Sequence, residues 1–131
     1  MFLLDTDTCV DVLRGVASVR NRMEALSPDD CRVSSVTVFE LYTGTCFTRH
    51  PAREAVKVSR FLSVLDLVLF DLAAAKEAAR LRAELANAGM PIGPYDLLIA
   101  AQAISSAYTL VSANVREFGR IEGLKLENWR T

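Results

Sequence analysis

The sequence predicts an α/β fold, an α/β/α sandwich around a central, mostly parallel sheet of about five strands. Two observations carry this expectation. Short apolar runs alternate along the chain with stretches of helical period, and strands separated by helices need crossover connections, which favour parallel pairing with both faces covered. The stretch 97–107 is apolar nearly all round, as expected of a helix buried between layers.

In chain order, the strand candidates are Phe2–Leu4, Arg32–Val36, Leu67–Phe70, Tyr108–Val111 and Lys125–Asn128. Helical stripes lie between them. Val19, Met23 and Leu26 form one; Val38, Leu41, Tyr42 and Thr45 form the next. Val58, Phe61, Leu62 and Leu65 follow, and then Ala74, Ala78, Leu81, Leu85 and Ala88. His50-Pro51 separates two helices, and Gly89-Met90-Pro91 ends another. No Pro/Gly/Ser-rich linker, repeat or low-complexity stretch divides the chain, so residues 1–131 are expected to form a single domain.

Composition excludes several classes. With 51% hydrophobic and 24% charged residues, the balance is that of an ordinary globular chain rather than a disordered one. A net charge of -1 provides no whole-molecule attraction for nucleic acid, so binding there requires a local basic patch. Cys9, Cys31 and Cys46 are odd in number and contain no CxxC pair, which argues for reduced core thiols rather than a zinc site or a disulfide framework. The residues before Asp5 do not make a signal peptide, and no apolar run approaches the roughly 20 residues of a membrane span. A soluble, cytoplasmic protein is expected.

The chemistry-bearing residues are acids. Ligands of an open parallel sheet bind outside the carboxyl ends of its strands, and the acids fall there. Asp5 and Asp7 follow the first strand, Glu40 the second, while Asp96 opens the apolar helix after Gly93-Pro94. Asn114 and Glu117 follow the Tyr108–Val111 run. Oxygen ligands without histidine or cysteine suit Mg²⁺ or Mn²⁺ rather than zinc. Like charges brought this close need a cation, which can activate water and polarise a phosphoryl oxygen. The sole histidine, His50, lies near a helix end, away from the acids, and offers no general base. Each acid also has a structural explanation. Thr37-Val38-Phe39-Glu40 reads as a capping box with Glu40 at N3. Asp7 and Asn114 read as N-caps, Asp96 as a residue complementing a helix dipole, and Asp71 as only a cap.

With these residues in place, the chain resembles the PIN-domain family and, within it, the VapC toxins of bacterial toxin–antitoxin pairs. The likeness is carried by Leu3-Leu4-Asp5-Thr6-Asp7, by Ser34-Ser35-Val36-Thr37-Val38-Phe39-Glu40-Leu41, and by Ile92-Gly93-Pro94-Tyr95-Asp96-Leu97-Leu98-Ile99-Ala100. Leu110-Val111-Ser112-Ala113-Asn114, Arg116-Glu117-Phe118 and the segment 123–129 complete it. The resemblance implies a PIN-like sandwich in which Asp5, Glu40 and Asp96 hold Mg²⁺, with Mn²⁺ as a substitute. Asp5, Glu40, Asp96 and Glu117 would form the catalytic set, supported by Asp7, Ser112 and Asn114.

It further implies hydrolysis of RNA to a 5′-phosphate and a 3′-hydroxyl, a homodimer, and a VapB-like antitoxin that blocks the site. Arg14, Arg116 and Arg120 are the phosphate-binding candidates. The chain departs from the family pattern in three places. Asp7 stands for the usual Asn, Tyr95 for a frequent Asn, and Asn114 for a frequent Asp, so the fourth acidic role can pass to Glu117. Two rivals remain at this stage. Leu3-Leu4-Asp5-Thr6-Asp7-Thr8 matches the opening motif of haloacid-dehalogenase-type phosphatases, with Asp5 as nucleophile and Asp7 as general acid/base. A catalytically inactive PIN relative acting as a binding module is the other.

Overall fold

The computed structural model describes residues 1–131 as an α/β/α sandwich. Its elements are β1 (Phe2–Leu4), α1 (Thr6–Arg14), α2 (Ala17–Glu24), β2 (Cys31–Ser34), α3 (Ser35–Thr45), α4 (Pro51–Leu62) and β3 (Asp66–Val68). There follow α5 (Leu72–Asn87), α6 (Pro94–Ser105), β4 (Thr109–Val111), α7 (Val115–Phe118) and β5 (Leu126–Glu127). A single 3₁₀ turn, Pro28–Asp30, leads into β2.

All five expected strands form, and every pairing is parallel, in the order β3-β2-β1-β4-β5. β1 is central: Phe2 pairs with Cys31 on one side and Thr109 on the other. The chain lays down β2 and β3 on one side of β1, then crosses back through α5 and α6 to add β4 and β5 on the other. The β1/β4 boundary is therefore the point where the winding direction reverses, and in such sheets ligands bind outside the carboxyl ends of the strands there.

Successive side chains on a strand point to opposite faces, so β1 feeds two cores. Leu4 joins Cys9, Val12, Val19, Val33, Val58 and Trp129 on the side of α1, α2 and α4. Leu3 joins Leu81, Leu85, Leu97, Ile99 and Phe118 on the side of α5, α6 and α7. In α6, six of twelve residues are buried, among them Ile99, Ala100, Ala101 and Ala103, which accounts for its unbroken apolar run. Gln102, 1% exposed, is the polar exception. It accepts from the Ser34 hydroxyl and donates to the Val68 carbonyl at 3.1 Å, tying α6 to the ends of β2 and β3.

Several boundaries differ from the sequence expectation. β2 stops at Ser34 instead of reaching Val36, because the Ser34 hydroxyl accepts from the Val36 N–H and starts α3 there. Glu40 consequently lies in the second turn of α3, and the Thr37/Glu40 capping box does not form. The N-cap of α1 is Asp5, not Asp7. Asp71 caps α5 as expected, accepting from the Ala74 N–H at 2.9 Å. Gly15 closes α1 with φ +77°, a left-handed conformation that costs other L-residues about 1–2 kcal/mol. Cys9 and Cys31 are buried free thiols, whereas Cys46 is exposed rather than in the core. No helix is long and apolar enough to cross a membrane.

Candidate active site

Asp5 stands where β1 gives way to α1, across the winding reversal from Ser112 at the end of β4. Its backbone N–H donates to the Val111 carbonyl at 3.0 Å, which pins it to β4, and its Oδ1 accepts from the Thr8 N–H at 2.8 Å. Thr8 is held in turn, its hydroxyl donating to the Val111 carbonyl at 3.0 Å. Asp5 is only 2% exposed. Burial raises its pKa above the ordinary 3.8 and the nearby Asp7 adds to the rise, against the lowering effect of Ser112 and Thr8 as hydrogen-bond partners. The same side chain thus caps α1 and lies at the acidic edge of the sheet.

Glu40 reaches the same edge from α3. Its Oε1 accepts from the Thr6 hydroxyl at 2.7 Å, and that hydroxyl also lies 3.1 Å from the Thr37 hydroxyl. Thr6 was not singled out by sequence. Its partner is 34 residues away, and nothing local announces the contact. Glu117, on the one-turn helix α7, accepts at Oε2 from the Asn114 amide at 3.0 Å, and the Asn114 N–H donates to the Ser112 hydroxyl at 2.9 Å. Asn114 occupies the N-cap position of α7 but its side chain does not cap; it is turned onto Glu117.

Asp96 sits half-buried in the first turn of α6. Its pKa is pushed up to about 6, first by burial and then by the charges of Asp5, Glu40, Asp7 and Glu117. Asp5, Asp7, Glu40 and Glu117 therefore all lie within electrostatic reach of Asp96. They do not form a tight knot: no group of three or more His, Cys, Asp or Glu side chains is close enough to hold a metal ion as arranged. Like charges repel, and Glu40 and Glu117 each rest on a neutral partner, Thr6 and Asn114.

The three candidate arginines diverge. Arg14 lines a groove of about 350 Å³ beside Thr6 and Glu40. Arg120 donates to the Pro91 carbonyl at 3.1 Å, so part of its guanidinium is committed to the segment leading into α6. Arg116 is exposed on α7. The sequence did not point to Arg130, which forms a two-pronged pair with the buried Asp11 of α1. A cavity of about 750 Å³ is an apolar cleft between α5 and α6 lined by residues such as Ala78, Leu85 and Leu97, and none of the five acids lines it.

The carboxyl edge of the fully parallel sheet thus carries five acids, with neither histidine nor cysteine among them. The PIN domain model matches residues 2–124. The chain is 40% identical over 129 residues to the tRNA(fMet)-specific endonuclease VapC of Shigella flexneri, covering 98% of this chain and 97% of that protein. Its fold superposes with a TM-score of 0.92 on a chain of VapBC2 from Rickettsia felis bound to a promoter DNA fragment, at 35% identity and 98% coverage of each. The DNA-bound VapBC of Salmonella typhimurium matches equally well, with a TM-score of 0.92, 37% identity and coverage of 98% and 97%. The chain belongs to the PIN-domain family and, within it, to the VapC-like group. This assignment, spanning nearly the whole chain, leaves the haloacid-dehalogenase alternative without support.

Proposed function

We propose that this chain is a metal-dependent endoribonuclease, a VapC-like toxin restrained by a cognate VapB-like antitoxin, with residues 1–131 acting as one nuclease domain. The observation that carries the reading is the shared field of Asp5, Asp7, Glu40, Asp96 and Glu117, strong enough with burial to lift Asp96 to about 6. Oxygen-only donors suit Mg²⁺, or Mn²⁺ in its place. Mg²⁺ typically takes one or two protein carboxylates and keeps several waters, so acids that stand apart still fit it. Asp5 and Asp96 would anchor the ion, with Glu40 and Glu117 completing the site directly or through water. Such an ion supplies Lewis-acid activation of water and of the phosphoryl group, and offsets charge on the leaving oxygen.

The chain's own residues do the positioning. Thr8 and Ser112 orient the Asp5 carboxylate, Thr6 that of Glu40, and Asn114 that of Glu117. Without a bound cation, burial and the neighbouring acids raise the Asp96 pKa to about 6, and a cation at the site would favour its ionised form. Water adds to phosphorus and the 3′ oxygen departs, leaving a 5′-phosphate and a 3′-hydroxyl. The names of the Shigella and Salmonella relatives make tRNA(fMet) the first RNA to test.

The solved VapBC complexes support an antitoxin partner. The groove lined by Thr6, Val10, Arg14, Glu40 and Val58 opens beside the acids and would take an antitoxin segment whose basic side chain meets them. A homodimer would bury the exposed Phe39, Leu69, Leu72 and Tyr95, of which Phe39 and Tyr95 already stand ring to ring at 5.5 Å. The test is cleavage of RNA by the purified chain with Mg²⁺, with chelator, and after Asp5→Ala or Asp96→Asn. Cleavage that depends on the ion and disappears in both folded variants supports the reading. Undiminished cleavage by the double variant contradicts the site, and a wild type that binds RNA or antitoxin without turnover makes the chain an inactive relative.

A further inference from the structure

We propose that Arg130 is a substrate-positioning residue, its guanidinium locked against the buried Asp11 so that it grips an RNA backbone phosphate beside the acid cluster. The inference rests on the ribonuclease reading above.

Asp11 lies one turn beyond Asp7 on α1, so the two carboxylates share the helix stripe that begins at the acidic edge. Asp11 is 5% exposed, and both its oxygens are engaged by one partner. Arg130 Nε donates to Oδ2 at 2.6 Å and Nη2 donates to Oδ1 at 2.9 Å. The planar fork leaves the N–H groups of Nη1 and the outer one of Nη2 directed away from Asp11. The Arg130 side chain is 49% exposed, open to a ligand arriving from solvent. Through that pair the guanidinium is held against the stripe of α1 that carries Asp7 one turn earlier.

A purely structural role accounts poorly for this pair. The segment after β5 is already fastened by Trp129, which is 1% exposed and packs edge-on against Phe2 at 5.5 Å. The indole N–H donates to Glu127, and Arg22 both lies over the ring and pairs with Glu127 at 2.8 Å. Burying a carboxylate on α1 to hold a segment that Trp129 holds anyway yields little net stability, since desolvation cancels much of the attraction. A site of five acids, on the other hand, repels a phosphate chain and needs a fixed cation at its rim. Arg14 and Arg116 are exposed and make no ion pair, and Arg120 is partly committed to Pro91. Arg130 is preorganised, so a phosphate contact costs it little side-chain entropy.

The test compares wild type, Arg130→Ala and Arg130→Lys in Mg²⁺-dependent RNA cleavage across a salt series. Arg130→Ala is expected to raise KM about tenfold, the scale of one charge-assisted contact, while kcat changes by no more than about twofold. Losing one phosphate contact should also flatten the dependence of log KM on log salt by about 0.7 for single-stranded RNA. Arg130→Lys should keep that salt dependence and recover part of the affinity. Binding of fluorescent RNA to the Asp96→Asn protein without metal gives a second reading, and the added Arg130→Ala should weaken it similarly. If Arg130→Ala does not fold, Arg130→Gln is read in its place. Unchanged KM and salt dependence, or a loss confined to kcat, overturns the proposal. A wild type that cuts no RNA refutes the ribonuclease reading instead, and the binding assay still decides on Arg130.

Discussion

Replacing Asp96 by Asn should stabilise the metal-free protein at neutral pH while abolishing its response to divalent cations. In the folded chain the Asp96 pKa rises from 3.8 to about 6, through burial first and the four neighbouring acids second. For a fully buried group that rise would be worth about 3 kcal/mol. Asp96 is only half-buried, however, and solvent screening reduces the figure to about 1 kcal/mol. The sign follows from linkage. With its pKa raised on folding, Asp96 binds more protons in the folded state between pH 3.8 and about 6, so its contribution is most favourable below 3.8 and is lost as pH rises through about 6. Asn carries no such charge. At pH 7.5 without metal, thermal unfolding of Asp96→Asn should therefore occur about 3–5 °C above wild type for a domain of this size. Near pH 4 the gap should shrink towards zero. Added Mg²⁺ or Mn²⁺ should raise the melting temperature of wild type and not of the variant. A variant no more stable than wild type at pH 7.5, or one whose advantage persists unchanged near pH 4, would refute the reasoning.

Other predictions address the supports of the site. Thr6→Val keeps the shape but removes the hydroxyl bonded to Glu40, so cleavage should fall about tenfold with folding little changed, as rate assays and thermal unfolding will report. Gln102→Leu strips the buried links to Ser34 and Val68, and denaturant titration should find it destabilised by about 2 kcal/mol. Glu117→Gln should blunt the dependence of activity on Mg²⁺ more than Asp71→Asn, whose carboxylate only caps α5. Equal responses of these two in a metal titration would reduce Glu117 to a structural residue.

What could be read from the sequence and what could not separate along physical lines. The central strands β1 and β4 were legible, because strands covered on both faces read as mostly apolar runs, and the acids could be placed because a parallel sheet sends its functional residues to one edge. Helix starts were less so. Ser34-Ser35 ends β2 and begins α3 within two residues, so the capping box read at Thr37 and Glu40 was displaced by a cap three residues earlier. Asp5 and Asp7 both suit an N-cap, and in the fold it is Asp5, pinned to β4 through its N–H, whose carboxylate accepts from the Thr8 N–H. The contacts that hold the acids in place were hidden altogether. Thr6 meets Glu40 across 34 residues and Arg130 meets Asp11 across 119, pairings fixed by sheet order and by no local pattern.

The central claim, that Asp5, Glu40 and Asp96 hold a divalent cation at the carboxyl edge of the sheet, is tested most directly by anomalous diffraction from crystals soaked in Mn²⁺. A manganese peak is expected between the Asp5 and Asp96 carboxylates, with Glu40 beside it and Glu117 near enough to act through water. A peak elsewhere, or none at a concentration that supports RNA cleavage, would contradict it.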